Sequence, residues 1–211
     1  MSEKPLENMP ESLSRPDLRR IADLIEPNSR VLDLGCGDGS FLAYLEKKKS
    51  IRPLGVEIDA DMVGECVRRG IPVIHGDLNS NLDYLHDDSF DCVLLTRVFQ
   101  ELKHPDKILR EVTRIGKRGL VGFLNIGHIR NRMQFFFSGR MPISKTLPHN
   151  WYDTPNIHLG TIRDFRMMCK ELDIEIIRSL PIGRERSYLD VKLPNLLAHA
   201  CIFEIRDRKK K

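Results

Sequence analysis

The chain has 211 residues, 41% hydrophobic and 30% charged, proportions that exclude a disordered tail, a collagen-like repeat and a membrane bundle. That length suits one domain and can bury roughly two-thirds of its unfolded surface, so no disulfide or metal staple is needed. The net charge of +4 is modest. Much of it lies in Arg206-Asp207-Arg208-Lys209-Lys210-Lys211, and the basic tail at 207–211 reads as a solvated, frayed end rather than a nucleic-acid or membrane contact.

Residues 1–14 carry Pro, Glu and Ser without apolar period and read as a flexible lead-in, with no apolar stretch of the kind a signal peptide needs. A single domain is expected over 15–206, in a cytoplasmic protein. Leu18, Ile21, Ala22, Leu24 and Ile25 give a helix that Pro27-Asn28 stops. Strand-like runs follow at Val31–Leu34, Pro53–Val56, Pro72–Ile74, Cys92–Leu95 and Leu120–Leu124, with helices near Phe41–Lys48, Asp61–Arg69 and Asp106–Ile115. Strands alternating with helices predict right-handed βαβ units and a mostly parallel sheet covered on both faces. An insert at 125–160 breaks this rhythm, and a connection of that length in a compact domain is usually functional. Thr161 is the expected N-cap of a further helix. Ile174–Leu180 and Ala200–Ile205 then predict an antiparallel C-terminal pair. The apolar runs are far below the ~20 residues that span a bilayer. The five cysteines form no CxxC pair; they read as buried thiols of a reducing compartment, and no metal site is expected.

The sharpest local signal is Val31-Leu32-Asp33-Leu34-Gly35-Cys36-Gly37-Asp38-Gly39, an apolar strand running into a G-x-G-x-G turn that opens a helix. Glycines there allow positive φ and leave room for a ligand to approach the backbone. A dinucleotide fingerprint would need a third glycine at position 40, which is Ser40, and no Lys-Ser/Thr pair follows to make a P-loop. Asp33 places a carboxylate at the turn, which disfavours a pyrophosphate and favours a cationic ligand. Glu57 closes the next strand, where an acid can accept both hydroxyls of a ribose. Asp77 follows the third strand, where it can accept from an exocyclic amine such as that of adenine. Three acids in register at the carboxyl edge of neighbouring strands mark the ligand edge of an open α/β sheet.

With the glycine turn, these residues resemble the class I S-adenosylmethionine-dependent methyltransferases over roughly 16–124. The resemblance implies an α/β, doubly wound, mostly parallel seven-stranded sheet (Rossmann-like) with an antiparallel C-terminal strand pair. It also implies S-adenosylmethionine or S-adenosylhomocysteine as cofactor, held by Asp33, Gly35, Gly37, Glu57 and Asp77 with Ile58 and Leu78 flanking the adenine. An acceptor would face the end of the fourth strand, where Glu101, His104, His128, His149 and His158 are the candidate bases. Each has a plainer reading as a turn, capping or surface group, so the catalytic residues stay unassigned.

The insert carries Gly139-Arg140-Met141-Pro142 and Trp151-Tyr152-Asp153-Thr154-Pro155-Asn156-Ile157-His158, and Leu193-Pro194-Asn195-Leu196-Leu197 comes later. With Leu32-Asp33-Leu34-Gly35-Cys36-Gly37-Asp38-Gly39, these segments resemble the methionine biosynthesis protein MetW family from Pro16 to Ile205, although Ile129 stands where that family has an aromatic. The resemblance implies an S-adenosylmethionine-binding protein that partners or regulates homoserine O-acyltransferase. The rival reading is an active methyltransferase on a small-molecule acceptor. Phe135-Phe136-Phe137 reads first as a buried helix face; exposed, it would favour a partner surface. Trp151 either anchors recognition by the insert or pins the loop to the domain.

Overall fold

The computed structural model describes residues 15–96, 98–144, 147–183 and 193–210; the lead-in expected at 1–14 lies outside them. Its strands are β1 (Arg30–Leu34), β2 (Arg52–Glu57), β3 (Val73–His75), β4 (Cys92–Leu95), β5 (Gly119–Leu124), β6 (Ile174–Ile182) and β7 (Ala200–Asp207). The helices are α1 (Pro16–Leu24), α2 (Ser40–Lys49), α3 (Ala60–Arg68), α4 (Pro105–Ile115), α5 (Ile129–Ser138), α6 (Ile162–Glu171) and the four-residue α7 (Pro194–Leu197), with a 3-10 turn at Val98–Glu101. The strands form one sheet in the order β3-β2-β1-β4-β5-β7-β6. The first five run parallel, and β7 is antiparallel to both β5 and β6. The mostly parallel, seven-stranded, doubly wound α/β sheet expected from the sequence is present, with its antiparallel C-terminal pair.

Strand alternation assigns the core to two faces. Leu32 and Leu34 share one cluster with Val93, Leu95, Val121 and Phe203, covered by Ile108, Leu109 and Val112 of α4 and Phe165 of α6. Val31, Leu94 and Leu120 belong to the other, covered by Leu18 and Ile21 of α1, Leu42 and Leu45 of α2 and Cys66 of α3. Asp33 has the same parity as Val31, so its side chain enters the second layer. α6 starts with the Thr161 cap expected from the sequence, reinforced by reciprocal bonding with Asp164.

Three findings depart from the sequence reading. The insert contains α5, capped at its start by the His128 side chain and ended by Gly139 at φ +63°. Phe135, Phe136 and Phe137 do not form a buried face; they are 53%, 78% and 75% exposed, because the helix stands off the sheet and buries Asn131 instead. The basic end is held. Arg206 pairs with Glu175, Arg208 with Asp173, and the Lys210 ammonium reaches Asp88 and the carbonyls of Thr113 and Arg114 at 2.6–2.9 Å. Those two carbonyls belong to the last turn of α4, where a cation offsets the negative end of the helix dipole.

Candidate functional site

The parallel strands end at one edge, and the turn leaving β1 forms its floor. Gly35 (φ +81°) and Gly37 (φ +57°) adopt the left-handed conformation for different reasons. A Cβ on Gly35 would stand 2.7 Å from Val98 Cγ1, so packing excludes a side chain there. A Cβ on Gly37 would meet nothing within 4 Å; that side of the turn is open to a ligand. The Gly35 and Cys36 amides donate to the Val56 carbonyl at 2.8 and 3.2 Å, tying the turn to β2.

Glu57 ends β2 and reaches back to the turn. Its Oε2 accepts from the Gly37 amide at 2.8 Å, and its Oε1 accepts from Ile58 and Asp59 at 2.8 and 3.0 Å. A carboxylate offers about four acceptor positions, so one on Oε2 remains free. Both hydroxyls of a ribose could be accepted only if one backbone bond yielded. Beyond β3, the Gly76 amide donates to the Glu57 carbonyl at 2.9 Å, bringing Asp77 beside β2. Asp77 Oδ1 accepts from both the amide and the side-chain nitrogen of Asn79, at 2.8 and 3.0 Å, and Oδ2 is left for another donor. Ile58 is exposed and Leu78 half-buried on the same edge.

Asp33 is 4% exposed, and its Oδ1 is buried without a hydrogen-bond partner. Burial pushes its carboxyl up to about 7; Arg15 at the start of α1 counteracts part of that, and Glu57 adds to it. Arg15 offsets only part of the cost of burying this carboxyl, and a further cation close to the glycine turn would offset more of it. A phosphate fits poorly. Asp38 already occupies the α2 N-terminus, accepting from the Ser40 amide at 3.1 Å and pairing with Arg69 at 2.7 Å. Partial burial opposes ionisation of Asp38, but the Ser40 and Arg69 bonds outweigh it and hold the carboxyl below its ordinary range. Cys36 and Cys66 lie with sulfurs 3.8 Å apart beneath the turn, and burial pushes both thiols up.

The candidate bases do not converge. Glu101, His104, His149 and His158 are exposed, and among the described residues none is hydrogen-bonded to the glycine turn. His104 is the N-cap position of α4. His128 is buried; its Nδ1 accepts from the Arg130 amide and its ring stacks on His199 at 3.8 Å. Trp151 and Tyr152 pack edge to face on each other and remain 73% and 70% exposed, so Trp151 does not pin the loop into the core.

Two buried amides, unremarked in the sequence reading, do that instead. Gln100 Oε1 accepts from the Leu124 amide at 2.7 Å, and its Nε2 donates to the His158 carbonyl at 2.9 Å, joining β5 to the far end of the insert. Asn125 Nδ2 donates to the carbonyls of Asn195 and Ala198 at 3.1 and 2.8 Å, and its Oδ1 accepts from Gly127 and Ile162 at 3.1 and 3.4 Å. A polar residue directly after a buried strand is a signal that could have marked Asn125, whereas Gln100 lies inside the 3-10 turn and carries no such mark.

Parallel strands, a glycine turn after β1, acids at the ends of β1, β2 and β3, and a terminal antiparallel pair define the class I S-adenosylmethionine-dependent methyltransferase fold. Solved structures agree. A methyltransferase from Archaeoglobus fulgidus superimposes with a TM-score of 0.66 at 17% identity, covering 92% of this chain and 93% of its own. The magnesium protoporphyrin IX methyltransferase of Synechocystis, with S-adenosylhomocysteine bound, gives 0.59 at 15% identity over 92% of this chain and 81% of its own. Within that fold class the chain belongs to the methionine biosynthesis protein MetW family, whose model matches residues 15–205. It is 32% identical over 169 residues to the bifunctional methionine biosynthesis protein MetXA/MetW of Rhodopirellula baltica. That match takes in 76% of this chain and 27% of the relative, so the chain spans about a quarter of the relative's length.

Proposed function

We propose that this protein binds S-adenosylmethionine or S-adenosylhomocysteine at the glycine turn and acts with, or regulates, a homoserine O-acyltransferase of methionine synthesis. The observation that carries the first half is the buried Asp33 carboxyl, whose Oδ1 has no hydrogen-bond partner, leading into a glycine turn that is open at Gly37. An α-ammonium or sulfonium group supplies the missing counter-charge. The free acceptor position of Glu57 takes a ribose hydroxyl, Asp77 Oδ2 takes the adenine amine, and Ile58 and Leu78 offer apolar walls to the ring. The cofactor would supply a methyl group on a sulfonium; this chain's residues bind and orient it.

The partnership rests on two observations. The Rhodopirellula relative carries MetXA and MetW in one named bifunctional protein, and joining two modules in one chain raises their effective concentration toward each other. Phe136, Phe137, Trp151 and Tyr152, each at least 70% exposed, offer stiff apolar side chains of the kind that dominate binding hot spots.

The test pairs calorimetry with co-purification. S-adenosylhomocysteine should bind the full chain, and Glu57→Ala should weaken it by one to two decades, the loss of charge-assisted bonds of about 1.5–3 kcal/mol. Tagged protein should retain homoserine O-acyltransferase. Absence of binding heat removes the nucleoside reading, and absence of the acyltransferase removes the partnership. Methyl transfer to a small acceptor, with no acyltransferase retained, would favour the enzyme reading.

A further inference from the structure

We propose that a cavity between the start of α6 and the Leu193–Leu197 segment is a binding site for a small organic anion, a carboxylate or phosphate head on a short apolar body. The cavity holds about 480 Å³, within the range of small-ligand sites. Three arginines line it, Arg132 from α5 and Arg163 and Arg166 from α6, together with the apolar Ile162, Leu193 and Leu196. Among the described residues, no carboxylate lines it. None of the three arginines forms an ion pair among the described residues, whereas at least ten others do. Three like charges around one concavity repel each other, and an anion resolves that repulsion with the bidentate bonding that arginine offers to carboxylate and phosphate.

The recognition comes from the side chains rather than from a bare helix end. The Arg163 amide already donates to Asn195 Oδ1 at 3.1 Å, the Ile162 amide to Asn125 Oδ1 at 3.4 Å, and Asp164 is engaged with Thr161. Arg132 Nε donates to the Gly127 carbonyl at 2.6 Å and Arg166 donates to Ser179 at 3.2 Å; both keep further N–H groups for a ligand. The wall is built at a cost. Leu193 is a bulky residue at φ +60°, ψ +59°, immediately before Pro194, where both the left-handed region and any helical conformation are disfavoured. Such strain persists where surrounding contacts enforce it, and it gathers at ligand clamps. Here Leu193 is held by its carbonyl accepting from the Leu196 and Leu197 amides at 2.8 and 3.1 Å, and Asn195 is held through Asn125. The site lies beside β6 and β7, and β7 is three strand spacings or about 14 Å from β1, so the inference does not rest on the nucleoside reading.

The test uses two probes with one apolar body and two heads, benzoate and phenyl phosphate, with phenol as the uncharged control. Each is titrated into the full chain at constant ionic strength and followed by calorimetry. At least one anion should bind saturably and phenol should not. Arg163 contributes only its backbone to the observed bonds, so Arg163→Gln preserves the fold; it should weaken the anion about tenfold, and Arg163→Gln with Arg166→Gln by a further tenfold or so. Melting temperature and S-adenosylhomocysteine affinity should be unchanged in both variants. Neither anion binding at tens of millimolar, equal binding by phenol, or unchanged binding by the double variant would overturn the proposal. So would binding of an acidic peptide at these arginines with no binding of either small anion.

Discussion

Replacing Asp33 by Asn tests the electrostatics of the glycine turn directly. In the unfolded chain this carboxyl titrates near 3.8, and burial among β1, α1 and Glu57 pushes it up to about 7. The folded state therefore holds the proton more tightly than the unfolded state does. As pH rises from about 4 to about 7 the unfolded chain loses that proton first, so stability falls through this window and levels off above it. The full difference amounts to roughly 4 kcal/mol at neutral pH and above. Asn has nearly the same shape and never ionises, so ligand-free Asp33→Asn should be the more stable protein near pH 8, by up to that amount less whatever its unpaired amide costs. The advantage should shrink toward zero near pH 4. Urea unfolding of both proteins across that range reads it, and each kcal/mol corresponds to about 2–4 °C in melting temperature for a chain of this size. The same substitution should weaken S-adenosylhomocysteine, because the counter-charge for its ammonium is gone. A variant less stable than wild type near pH 8, or a difference that does not change with pH, would refute the reasoning.

Gly35→Ala should destabilise by about 1–3 kcal/mol, since its Cβ would stand 2.7 Å from Val98 at a φ of +81°; thermal melts check this. Gly37→Ala faces open space, so it should cost only about 1 kcal/mol in stability yet lose nucleoside affinity by calorimetry. Lys210→Met should cost about 1 kcal/mol in urea unfolding by uncapping α4. Trp151→Ala with Arg140→Ala should leave melting temperature and nucleoside affinity intact and abolish co-purification of the acyltransferase; a variant that melts early would return the insert to a structural role.

Much of this protein was legible along the chain because it is encoded locally. Strand β1, the turn through Gly35 and Gly37, and the start of α2 follow from apolar runs and from residues that tolerate positive φ. Thr161 announces α6, and the alternation of strands and helices dictates a parallel sheet whose carboxyl ends share one edge. Asp33, Glu57 and Asp77 could be singled out because each lies at or within two residues of a strand's end. What the sequence left open depends on partners distant in the chain. The insertion of β7 between β5 and β6, which leaves the earlier strand β6 at the sheet edge, depends on pairing between segments about 80 residues apart in the chain. α5 carries no clear 3.6-residue apolar period, because its exposed phenylalanines do not face a core; its His128 cap and Gly139 end define it instead. The buried amides of Gln100 and Asn125 act through carbonyls tens of residues away, and the cations at the end of the chain meet carboxylates on β6 and beside α4. Above all, the missing partner of Asp33 is a property of the assembled site. Residue type says that a carboxylate is present, but only the packed neighbours determine that it is dry and that its Oδ1 has no hydrogen-bond partner.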